Sequence, residues 1–162
     1  MNKKFQRFQK EFSGVDLAKY FNLCSGLTIQ HTVDDSIHLR ICYKKSDPCP
    51  FLPLPLEILR EIQTYLNHKI ELFVQIDFPL EYPFVGPVWS LIDIQHTVRG
   101  LLRTCWHGEM TLHHYYHDKI NEHNHYYNLH WTPAITISSD ILEFVRRVNH
   151  FDEIFSSISI PN

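Results

Sequence analysis

"IDFPLEYPFVGP", residues 76–87, holds three prolines in nine positions (Pro79, Pro83, Pro87) and directly follows a run that alternates apolar and polar residues. Proline fixes φ and removes a backbone donor, so this spacing ends a strand and builds a rigid connection of defined shape. On the N-terminal side, "IELFVQIDF" has period two, and Ile70, Leu72, Val74, Ile76 and Phe78 are expected to face inward. On the C-terminal side, "VWSLIDI" predicts the next strand.

Further upstream, "LTIQHTV" places Leu27, Ile29, His31 and Val33 on one side, and "SIHLRICY" does the same with Ile37, Leu39, Ile41 and Tyr43. Asp34 and Asp35 between the two runs predict a hairpin. After the proline-rich stretch 48–55, an inserted helix over about 55–67 is expected, with Leu56, Leu59, Ile62 and Leu66 as its stripe. At the start, Phe5, Phe8 and Phe12 share one face of an amphipathic helix, with Lys3, Lys4, Arg7 and Lys10 elsewhere on its turns.

Beyond the last strand the pattern changes. From His107 to His130 the chain holds seven of its twelve histidines and four tyrosines, without a sustained apolar period. A long, partly ordered loop is expected over about 96–130. "WTPAITISSDILEFVRRV" then predicts a helix capped by Ser138 or Ser139, with Ile141, Leu142, Val145 and Val148 buried, and a short helix over 152–158 after it. One domain of α+β class, spanning 1–162, accommodates all of this: an N-terminal helix, a four-stranded antiparallel meander, a His-rich loop and a C-terminal helix.

Composition narrows the function classes. At 162 residues, with 44% hydrophobic residues and a formal charge of −3, the chain can bury one core and lacks the basic excess of a nucleic-acid or anionic-membrane footprint. No apolar run reaches membrane-spanning length, and the N-terminus lacks a secretory h-region, so a cytoplasmic or nuclear protein is expected. Cys24, Cys42, Cys49 and Cys105 form no CxxC pair, which suits free thiols.

Two motifs in order, Phe78-Pro79, Tyr82-Pro83-Phe84 and Pro87, then Trp131, Pro133-Ala134, Thr136-Ile137 and Leu142, resemble those of the ubiquitin-conjugating enzyme (UBC-like) fold. The resemblance covers residues 70–148 best, and the chain stops where typical members add two more helices. It implies that the proline turn, the loop after the tryptophan and the first helix form a ligase-docking surface. Phe84, Pro133 and Ala134 would be its apolar contacts, and Lys4 and Arg7 would belong to the region that also meets the activating enzyme. An alternative is that Phe84 and Pro133 only pack on one another to close the end of the sheet.

The family takes ubiquitin or a ubiquitin-like modifier as a thioester on a cysteine and passes it to a lysine amine, a nucleophilic acyl transfer. Cys105, nine positions after His96, occupies the nucleophile's place by this resemblance, with His96 in the family's His-Pro-Asn tripeptide. Here that tripeptide reads His96-Thr97-Val98, so its oxyanion-stabilising asparagine is absent, and Asn121, Asn124 and Asn128 are candidates to replace it. Two classes of function stay open: a divergent conjugating enzyme, working with an activating enzyme and a ligase, or a non-catalytic variant that binds ubiquitin, a ligase or another protein assembly partner. Neither requires a cofactor.

The histidines add a metal hypothesis. His113 and His117 are four apart, and His107, His123 and His125, or Cys105, could complete a tetrahedral zinc site that orders the loop. The alternative is a solvated segment in which histidine and tyrosine are simply polar. Zinc bound by Cys105 and a thioester on Cys105 exclude one another.

Overall fold

The computed structural model describes residues 6, 7, 10, 11, 24–31, 36–46, 54–96 and 112–148. Four strands, β1 (Gly26–His31), β2 (Ser36–Ser46), β3 (Asn67–Asp77) and β4 (Val88–His96), form one antiparallel sheet in the order β1-β2-β3-β4. Three helices accompany it: α1 (Leu56–Leu66), which runs directly into β3, then α2 (Leu112–His130) and α3 (Ile137–Val148). Gln6, Arg7, Lys10 and Glu11 are helical, in keeping with the amphipathic helix expected at the start. Phe5, Phe8, Phe12, Val33 and the helix expected over 152–158 lie outside the described residues.

Register makes the core. Along the central ladder Ile37 faces Ile76, Leu39 faces Val74, Ile41 faces Leu72 and Tyr43 faces Ile70, so both alternating runs place their apolar members on the same side of the sheet. All eight are buried. At about 1.5–3 kcal/mol for each fully buried large apolar side chain, this paired double row is a large part of the apolar contribution to stability. The ladder between β3 and β4 carries an irregularity at Phe73/Val74, where Asp93 and Leu91 are the partners and Ile92 is extra. A bulge shifts side-chain parity by one. Trp89 and Leu91 before it and Ile94 after it therefore all join the core, and Ile92 is left exposed.

Helix α3 closes the inner face with Ile137, Ile141, Phe144, Val145 and Val148. Its cap corrects the expectation: Thr136 Oγ1, not Ser138 or Ser139, accepts the backbone N–H of Ser139 at 3.2 Å. The Ile137 N–H donates to Glu11 Oε2 at 2.9 Å. Two of the unpaired donors at the helix start are thus satisfied. Leu142, expected in the stripe, is only half-buried, and its place is taken by Ile137 and Phe144.

The expected loop is also corrected over 112–130, while residues 97–111 lie outside the described residues. Residues 112–130 form a helix of 19 residues whose buried positions are Tyr116, Ile120, His123 and Tyr127. The spacing of four, three and four is that of one helix face. The face is written almost entirely in tyrosine and histidine, which a hydrophobicity pattern does not register. Helix α1 forms where expected, yet Leu56, assigned to its buried stripe, is exposed.

Candidate functional site

The proline turn and the loop after Trp131 meet at one corner of the molecule. The turn is built by hydrogen bonds from Tyr82 N–H to Pro79 O (3.1 Å) and from Phe84 N–H to Glu81 O (2.8 Å), and the Tyr82-Pro83 peptide is cis. The Trp131 indole donates to Pro83 O at 2.8 Å. It also lies so close to Gly86 that a Cβ there would sit 3.0 Å from the indole. This close approach favours glycine at position 86, since a Cβ there would press the indole back by a few tenths of an ångström. Tyr82 fills the space behind the turn, edge-on to Phe78 with ring centroids 4.9 Å apart and tilted against Trp131 at 6.1 Å.

Arg7 fastens the N-terminal helical residues to this corner. Its guanidinium donates to Pro133 O, pairs with Glu11 at 2.6 Å and sits 5.6 Å from the centre of the Tyr82 ring. Burial pushes the Tyr82 phenol pKa well up, and nearby Glu11 acts in the same direction. The hydroxyl has no hydrogen-bond partner among the described residues.

What this framework leaves outside is apolar. Phe84 is 79% exposed and Leu80 87%, and Val85, Pro133 and Ala134 are exposed as well. The alternative in which Phe84 and Pro133 close the end of the sheet fails on this geometry, because Tyr82 and Trp131 occupy that place. Phe84 is held out in water by a rigid turn.

A second constellation lies inside. Asp140, in the first turn of α3, accepts from His123 Nε2 at 2.7 Å and from the Trp89 indole N–H at 3.1 Å. The side chains of His123 and Asp140 are each 1% exposed. The His123 ring is edge-on to Trp89, Tyr127 and Phe144, with centroids 4.8, 4.8 and 5.1 Å away. Nδ1 has no partner among the described residues, so the hydrogen of the imidazole belongs on Nε2. Immediately after His123 in the chain, Asn124 accepts from the Trp89 backbone N–H and donates to its carbonyl, both at 2.8 Å. The carboxamide thereby completes the backbone pairing of β4 at that residue and fixes α2 against it.

The expected site residues fall into separate places. Phe84, Pro133, Ala134 and Arg7 come together. His96 ends β4, exposed and opposite Ile70. Cys105, His107 and Lys4 lie outside the described residues. Of the proposed zinc ligands, His113 and His117 are neighbours on the exposed face of α2, His123 is committed to Asp140, and His125 is exposed farther along. At about 1.5 Å rise per residue, His123 and His125 are about 15 and 18 Å along the axis from His113. A single ion cannot join them, and among the described residues no group of three or more potential ligands is assembled.

Of the asparagines weighed as oxyanion donors, Asn124 is occupied by Trp89 and Asn121 contacts His117 Nδ1 at 3.2 Å. Sequence reasoning missed Trp89 and Asp140, and gave Asn124 a different role from the one it holds against Trp89. The available signal was an aspartate four residues after a capping threonine, in a helix whose other inward positions are apolar. No helix among the described residues is long and apolar enough to cross a membrane. No family model, curated protein or solved structure matches the chain.

Proposed function

We propose that the chain is a divergent UBC-like domain that acts as a docking module in a ubiquitin or ubiquitin-like pathway. Phe84, Pro133 and Ala134, with Arg7 beside them, would engage a ligase-type protein partner. The observation that carries the reading is the corner itself: the motif aromatic Phe84 stands in water while Tyr82 and Trp131 take over the structural work behind it. A rigid apolar projection beside a guanidinium is the composition of an interface anchor, because its ordering entropy is lost on folding, before binding.

The conjugating form of the same reading assigns a thioester to Cys105. It rests on the sequence resemblance, since Cys105 lies outside the described residues. The docking form stands without it.

Two measurements together address both. NMR titration with RING and U-box ligase domains is expected to perturb Phe84, Val85, Ala134 and Arg7 first. Incubation with activating enzyme, ATP and ubiquitin, comparing wild type with Cys105→Ser, then separates the classes. A thiol-sensitive adduct in the wild type alone establishes the enzyme. Titration shifts without an adduct establish the docking module, and neither signal with ubiquitin nor with other modifiers and their own activating enzymes removes both.

A further inference from the structure

Of the histidines considered for a shared ion, the fold leaves one pair together on the solvent side of α2. His113 and His117 are one turn apart, with ring planes 17° from parallel and centroids 6.2 Å apart. Both are exposed, so binding an ion strips neither from a core contact. On the next turn, the Asn121 carboxamide lies 3.2 Å from His117 Nδ1.

We infer that His113 and His117 form a two-nitrogen, solvent-open site for a divalent transition ion such as Cu2+, Ni2+ or Zn2+. Residues four apart on a helix face the same way. Bond lengths of about 2.0–2.1 Å from each ring are therefore reached by side-chain rotation with the backbone unchanged. Asn121 supplies the outer partner. The Asn121 amide nitrogen faces His117 Nδ1 at 3.2 Å; turned over about its terminal bond on ion binding, the carboxamide oxygen would accept Nδ1–H of His117 and leave the Nε2 lone pair pointing outward. Imidazole donors suit Cu2+, Ni2+ and Zn2+, and the affinity order across the first row puts Cu2+ highest. The His114 ring lies edge-on to His113 with centroids 6.3 Å apart, and no group of three or more potential ligands is assembled among the described residues. The remaining coordination positions stay open to water or to a ligand from another molecule. The site shares no residue with the docking corner.

The test is titration of the full chain with Cu2+, followed by calorimetry and by the nitrogen splittings of the electron paramagnetic resonance spectrum. Wild type, the double variant His113→Asn/His117→Asn and the control His125→Asn are compared. The wild type and His125→Asn are expected to share a two-nitrogen site that the double variant lacks, with affinity reduced at least about tenfold and helix content unchanged. Asn121→Leu is expected to weaken binding by about 10–100-fold, the usual effect of losing an outer partner, while keeping the two-nitrogen signature. Equal affinity in the double variant, or an equal loss in His125→Asn, overturns the assignment. Should the double variant lose helix content, Zn2+ added to the wild type decides. Ring-resonance shifts at His113 and His117 support the site, and shifts at other histidines in their place overturn it.

Discussion

Two regions of this molecule reverse the ordinary distribution of side chains. At the centre, polar His123 and Asp140 sit in an aromatic enclosure, and at the corner, apolar Phe84 and Leu80 stand in water. Buried polar groups and exposed large apolar ones are the informative exceptions in a fold. The difference lies in the partners. Asp140 is answered within the chain by two donors, so the centre contributes to stability and to the placement of α2 and α3. Phe84 is answered by nothing that would remove it from water, so the corner contributes a surface.

Substitutions can break this contrast in graded steps. Asp140→Ala leaves the Trp89 and His123 N–H groups buried without their acceptor. Loss of about 2–5 kcal/mol is expected, at about 1–3 kcal/mol for each of two buried donors left unsatisfied, and urea unfolding measures it. Asp140→Asn retains an acceptor and should lose less. The next step presses on the corner from behind: Gly86→Val places a Cβ 3.0 Å from the Trp131 indole. About 1–3 kcal/mol of overpacking is expected, with a change in tryptophan fluorescence as Trp131 is displaced.

Asn124→Leu removes both bonds to the Trp89 backbone. It should cost about 1–3 kcal/mol and increase amide exchange in β4 before it affects β2 or β3. Smaller still is a pH effect on the other face of the sheet. The hydrogen bond from Lys69 at 2.9 Å, with help from Arg40 and against opposing burial, holds the Glu71 carboxyl below its ordinary pKa. A pKa lowered by folding contributes stability above the unfolded value, and that contribution is lost as pH falls through the folded value. Glu71→Gln should therefore flatten the acid limb of a stability profile and leave its shape near neutrality unchanged.

The four-stranded meander was legible in the sequence because alternation of Ile37, Leu39, Ile41 and Tyr43 with Ile70, Leu72, Val74 and Ile76 is a local signal that register only has to bring together. The proline turn was legible for the same reason. Helix α2 was not, since His123 counts as polar until Asp140, 17 positions away, accepts its hydrogen. Tyr116 and Tyr127 are similarly ambiguous. Burial pushes both phenol pKa values up, Tyr127 to about 12, as expected for rings acting as core residues. At the corner, the sequence marked Tyr82, Phe84 and Trp131 together. Which of them is inside is decided by the indole bond to Pro83 and the space at Gly86, neither of which has a pattern along the chain.

The most direct test of the docking reading is one paired measurement on Phe84→Ala: its melting temperature and its affinity for a RING or U-box ligase domain that binds the wild type. An exposed side chain without internal partners should change stability by no more than about 0.5 kcal/mol when truncated. As an interface anchor the same truncation should cost about 2 kcal/mol or more of binding, a loss of roughly thirtyfold. Unchanged melting with lost binding is the result predicted here. Unchanged binding, or a large fall in melting temperature, would contradict the assignment of the corner as a surface built for a partner.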